Sequence, residues 1–157
     1  MTDKEYNEIK QEIKYLVTDG SCDKVVNIYL LKDSRREEYE IRTAFTKKKL
    51  RLICRKDKGS RRRGLQNKLS FSILTDDNKT LCRIDTAGRN HTNPDKREVE
   101  APHIHIYKEG YDDSFAYPLS EIDNFEKCDS EASILFELLN YFSVVNIGSV
   151  EFNANLL

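Results

Sequence analysis

The chain has 157 residues, long enough for one ordinary domain to bury a core without disulfides or a structural metal. A composition of 38% hydrophobic, 34% charged and 10% aromatic residues with three prolines excludes collagen-like, globally disordered and helical membrane-spanning chains. The net charge of −1 conceals a strong segregation: ten bases and one acid between Lys47 and Arg63, against twelve acids and two bases from Glu98 onward.

In chain order, residues 3–17 place Tyr6, Ile9, Ile13, Leu16 and Val17 at helical spacing and predict an amphipathic helix ended near Gly20. Runs rich in β-branched and aromatic residues predict strands over Val25–Leu31, Tyr39–Thr46, Leu50–Arg55, Leu69–Thr75 and Thr80–Thr86. Asp76-Asp77-Asn78-Lys79 is a polar turn, so the last two strands form an antiparallel hairpin. From Ala87 to Pro102 the chain is turn-forming and without apolar periodicity, a long loop of the kind that carries sites. Strands follow at His103–Lys108 and Phe115–Leu119. A helix capped by Asp129 or Ser130 then carries Ile134, Leu135, Leu138, Leu139 and Phe142, before a short segment from Val144 to Ile147. The expected architecture is α+β: one domain over residues 1–157, an antiparallel sheet of six or seven strands between an N-terminal and a C-terminal helix.

The four cysteines lie 32, 28 and 46 positions apart, which gives no Cys-x-x-Cys pair; they are expected to be reduced thiols. The first residues lack a basic-then-apolar leader and no apolar run is long enough to span a membrane, so a cytoplasmic location and no membrane partner are expected.

All three histidines fall within fifteen positions, at His91, His103 and His105. Strand alternation sends His103, His105 and Tyr107 to one face and Ile104 and Ile106 to the other. Four readings follow. The imidazoles could hold a transition metal together with Asp85 or Glu109. They could act as general base and acid on RNA, with Arg83 or Arg89 on the phosphate. With Tyr107 and Tyr111 they could form a stacking or docking surface, or they could simply hydrogen-bond and orient the loop. The expectation is that His91, His103 and His105 carry any catalysis, supported by Arg83, Asp85, Arg89, Tyr107, Glu109 and Tyr111, without metal or other cofactor.

The string Arg83-Ile84-Asp85, Gly88, His91-Thr92-Asn93-Pro94-Asp95, Pro102-His103-Ile104-His105-Ile106-Tyr107-Lys108-Glu109-Gly110-Tyr111, Asp113 and Ala116-Tyr117-Pro118-Leu119 resembles the signature block of a family of small proteins of no settled function, associated with bacterial mobile elements and phages. The resemblance implies that setting and no particular activity. Ser114-Phe115 departs from the basic residue and tryptophan of that pattern.

Lys47, Lys48, Lys49, Arg51, Arg55, Lys56, Lys58, Arg61, Arg62 and Arg63 form the basic block, read as a strand followed by an exposed loop that grips phosphates. The expected partner is nucleic acid, RNA rather than duplex DNA, because no helix is strongly basic and no helix-turn-helix pattern is present. Cleavage of that RNA by a metal-independent histidine pair is left open. A rival of a different class is a non-enzymatic inhibitor of a host defence nucleoprotein, such as a CRISPR effector, docking by charge complementarity.

Overall fold

The computed structural model describes residues 1–30, 35–59, 62 and 68–152. Helix α1 (Asp3–Gln11) is opened by a capping box, in which Thr2 Oγ accepts from the Glu5 amide while the Glu5 carboxylate accepts from the Thr2 amide. It buries Tyr6 and Ile9. The helix predicted to reach residue 17 stops six residues earlier, and β1 (Lys14–Leu16) follows as an edge strand. The reason is tertiary: Lys14 and Leu16 are buried and Tyr15 is only half-buried, a period of two that Ile13, 41% exposed, does not extend into the helical stripe.

The main sheet has seven antiparallel strands in the order β1, β3 (Arg36–Thr43), β4 (Lys49–Asp57), β5 (Lys68–Thr75), β6 (Thr80–Asp85), β9 (His103–Lys108) and β10 (Asp112–Pro118). The expected hairpin is present as β5 and β6, turning at Asn78 with a positive φ of 67°. Strand β4 runs two residues further than expected, so Lys56 and Asp57 belong to a strand, paired with Leu69 and Lys68, rather than to a loop. Between β6 and β9 the long loop folds back as a small hairpin of its own, β7 (His91–Thr92) with β8 (Glu98–Val99).

Helix α2 (Glu131–Tyr141) begins at Ser130, whose hydroxyl accepts from the Ser133 amide, and buries Leu135, Leu138 and Leu139. With Tyr6, Ile9 and Phe142 these side chains join Leu52, Cys54, Phe71, Ile73, Cys82, Ile84 and Ile104 in one core. The C-terminal segment departs from expectation. Strand β11 (Ile147–Phe152) pairs in parallel with β2 (Val26–Leu30) as a separate two-stranded sheet. Asn146 fastens the junction: its Oδ1 accepts from the Leu16 amide and its Nδ2 donates to the carbonyls of Leu16 and Lys24.

Candidate functional site

Antiparallel register lines up one row of residues across the sheet: Arg36 opposite Arg55, Arg55 opposite Ser70, Ser70 opposite Asp85, Asp85 opposite His103. Two positions along, Ser72, Arg83 and His105 form the next row on the same face. His103 and His105 thus share a face, as alternation requires, and the loop brings His91 to them. The ring centroids are 5.0 Å apart for His103 and His105, 4.6 Å for His91 and His105, and 6.1 Å for His91 and His103. The loop is held there by Asn93, whose amide group donates to the Ala116 carbonyl and accepts from the Ala116 amide, completing the outer edge of β10.

Asp85 is the centre of the cluster. Its Oδ2 lies 3.5 Å from Nε2 of His103, 3.5 Å from Nε2 of His105 and 3.4 Å from Nε of Arg83. Its Oδ1 accepts from the Ser70 hydroxyl at 2.7 Å and meets Lys68 Nζ at 3.1 Å. Burial pushes this carboxyl up, but the adjoining His103 and His105 rings, the Ser70 hydroxyl and the Arg83 charge overcome it and hold the group well below the usual carboxylate range. The tautomer of His105 follows from its partners. Nδ1 faces the Asp113 carbonyl at 2.9 Å, which can only accept, so Nδ1 carries the hydrogen. Nε2 is then bare and accepts from the Arg83 guanidinium at 3.0 Å. His91 is fixed in the same manner, Nε2 donating to the Ser114 carbonyl at 2.8 Å.

Exposure decides what these rings can touch. His103 and His105 are 2% and 1% exposed, so both rings are buried in the cluster rather than presented at the surface, while His91 is half-buried. His103 Nδ1 is buried with no hydrogen-bond partner among the described residues.

The other residues expected to support the histidines divide. Arg83 and Asp85 are in the cluster. Tyr107 is not a stacking surface: it is 5% exposed, packs on Tyr6 at 5.7 Å between centroids and donates its hydroxyl to the Met1 carbonyl. Glu109 accepts from the Asp3 amide and so anchors α1 instead. Tyr111 is exposed beside Phe115, and Arg89 is exposed at the start of the loop.

The basic block is split by its own strand. Lys47, Lys48 and Lys49 are exposed at one end of β4, where Lys49 faces Asp76 at 3.6 Å. Arg51, in mid-strand, is paired with Glu38 at 3.2 Å and with Asn78. At the other end Arg55, Lys56 and Lys58 join Arg35, Arg36 and Asp57 around an open cavity of about 480 Å³. Arg62 is exposed, while Arg61 and Arg63 lie outside the described residues.

A family model, described as a family of unknown function (DUF6978), matches residues 1–144. The chain belongs to this family. No curated protein and no solved structure matches it. The DUF6978 match contains every residue of the histidine cluster and of the basic rim; within this member, β11 lies past its end.

Sequence reasoning missed four participants: Lys68, Ser70, Arg35 and Arg36. The doublet Arg35-Arg36 was a visible signal, a second basic pair before a strand. Lys68 and Ser70 gave none, because only the register of β5 against β6 sets them beside Asp85.

Proposed function

We propose that this DUF6978 member binds single-stranded nucleic acid, RNA in preference, on the sheet face bearing Arg36 and Arg55 and the adjoining basic rim. The observation that carries the reading is the collection of Arg35, Arg36, Arg55, Lys56 and Lys58 around one open cavity, where Asp57, 3.2 Å from Arg55, is the only acid among the described lining residues and Glu38 lies 3.4 Å from Arg36. Clustered side chains of this kind bind polyanions by releasing condensed counterions, which makes affinity steeply salt-dependent. A sheet face with a basic rim suits an unpaired strand, whereas a duplex groove calls for a helix or ribbon that the described residues do not present there. The reading is one of binding without cleavage, since His103 and His105, two of the three imidazoles that could transfer protons, are buried. In the phage or mobile-element setting suggested by the Arg83 to Leu119 block, the ligand is host or element RNA.

Docking on a host nucleoprotein is supported by the acidic half from Glu98 onward, most of whose carboxylates are exposed, among them Glu98, Glu100, Glu121, Asp123, Glu126 and Asp129, a pattern that a solvated acidic surface explains equally well.

The test is fluorescence anisotropy with a labelled 20-nucleotide RNA and the matching duplex DNA across a salt series. RNA is expected to bind more tightly and to remain full length. Replacing Arg36, Arg55 and Lys58 by glutamine is expected to flatten the slope of log affinity against log salt by about two, from roughly 0.7 per phosphate contact for single strands. An unchanged slope, or no binding by the wild type at low salt, overturns the reading.

A further inference from the structure

The cluster around Asp85 contains more acceptors than its hydrogen bonds explain. Asp85 Oδ2 and the bare Nε2 of His105 are two lone-pair atoms 3.5 Å apart, an arrangement stable only if a cation lies between or beside them. In the structure that cation is the Arg83 guanidinium. His103 adds a third ring whose Nε2 stands 3.5 Å from the same carboxylate oxygen and whose Nδ1 has no partner, although the residue is 2% exposed. An imidazole buried with an unsatisfied ring nitrogen is destabilised by that nitrogen's lost hydration, so a purely structural role leaves it unexplained.

We propose that Asp85, His103 and His105 are the ligands of a divalent first-row metal ion of the zinc class. The ligand atoms of the three lie within 4.8 Å of one another. A tetrahedral ion with ligand distances of about 2.0–2.2 Å sets its donor atoms roughly 3.3–3.6 Å apart, the length of both His–Asp edges. Two imidazoles and one carboxylate select zinc or its transition-metal neighbours over calcium or magnesium, which take oxygen-only sets. The outer contacts fit as well: His105 donates Nδ1–H to the Asp113 carbonyl, and the second oxygen of Asp85 is held by Ser70 and Lys68, as ligands are oriented in built metal sites. His91 borders this cluster, its ring centroid 4.6 Å from that of His105. Its Nε2–H is already committed to Ser114, which leaves Nδ1 as its bare nitrogen.

Arg83 is the competitor for the ion's position. Its side chain is 36% exposed and also reaches Asp113 at 3.1 Å, so a guanidinium that gives up Asp85 and His105 to an ion keeps an ionic partner. The ion then joins β6 to β9 through Asp85, His103 and His105. The proposal is independent of RNA binding.

The experiment loads the full chain with zinc or cobalt(II), removes excess by gel filtration and reads bound metal by mass spectrometry, the visible d–d bands of cobalt and the thermal midpoint. One ion per chain, bands of tetrahedral intensity and a midpoint raised by several degrees are expected. His105→Ala is expected to abolish all three and His91→Ala to weaken affinity about 10- to 100-fold. Arg83→Gln, which removes the competing cation while keeping every ligand, is expected to tighten zinc binding at least several-fold, and this variant keeps the test open if the histidine variants do not fold. Folded wild type that retains no metal overturns the proposal. So does metal retained unchanged in Asp85→Asn and His105→Ala, which would place the ion elsewhere.

Discussion

Two rows of side chains cross the same five strands one residue apart. One runs Cys54, Phe71, Ile84, Ile104 and Tyr117, the other Arg55, Ser70, Asp85, His103 and Pro118. The first is held by area removed from water, which any side chain of suitable size supplies. The second is held at Arg55, Ser70, Asp85 and His103 by partners at set distances, so these members have a role that size alone does not replace. Backbone pairing is common to both, and the contrast therefore isolates what the side chains add: bulk on one face, chemistry on the other.

The largest effect expected from breaking this contrast is on the apolar row. Phe71 is fully buried, and Phe71→Ala is expected to cost about 3–5 kcal/mol in urea unfolding through lost transfer energy and the cavity left behind. RNA affinity of the folded fraction should not change. On the polar row, Asp85→Asn removes the carboxylate that Arg83, Lys68 and Ser70 share. Breaking a fully buried pair costs about 3–5 kcal/mol, but Arg83 and Lys68 are each about a third exposed and can rehydrate, so about 2 kcal/mol is expected.

The sharpest refinement comes from a charge buried on the apolar side. Lys14 is 0% exposed and donates from Nζ to the carbonyls of Lys10, Glu12 and Phe142, where the last turns of α1 and α2 leave acceptors unpaired. Burial depresses its ammonium from 10.5 to about 8 against the opposing pull of Glu12 and Cys82. Below pH 8 the native state bears the whole cost of the buried charge. Between about pH 8 and 10.5 it sheds the proton while the unfolded chain keeps it, so this contribution to stability improves with rising pH. Burial pushes the Cys54 and Cys82 thiols up, which acts in the opposite sense above pH 9, so the measurement is a difference. Wild type is expected to gain about 2 kcal/mol on Lys14→Met between pH 7 and 10 in paired urea titrations, because each tenfold change in proton affinity on folding is worth about 1.4 kcal/mol. A constant difference would mean that Lys14 titrates normally.

The legibility of the two rows differs for the same reason. Apolar strands announce themselves by composition, and the α+β class, the β5–β6 hairpin and the shared face of His103 and His105 are all readable from local periodicity. Arg83 and Asp85 were readable as neighbours of the histidines in one block of sequence. What local pattern cannot supply is lateral register: Ser70 and Lys68 reach Asp85 only because β5 pairs with β6 at that offset, and β6 meets β9 across a seventeen-residue excursion. The burial of both rings was hidden likewise, since it depends on where the loop returns. The overlong helix shows the converse error. Ile13, Leu16 and Val17 extend a helical stripe by spacing, but pairing of Lys14, Tyr15 and Leu16 with Thr43, Arg42 and Ile41 overrides it.

The parallel pairing of β2 with β11 sets an order of events in synthesis. Val26 emerges from the ribosome some 120 residues before its partner Ile147. At about 5–20 residues per second that interval is on the order of ten seconds, during which the hydrogen-bonding edge of β2 has no native partner. An unpaired strand edge is a template for pairing with other chains. Val25 and Tyr29, both exposed in the finished fold, mark the surface that stays open longest. The nascent chain therefore carries an unpaired edge at its second strand until Ile147 arrives.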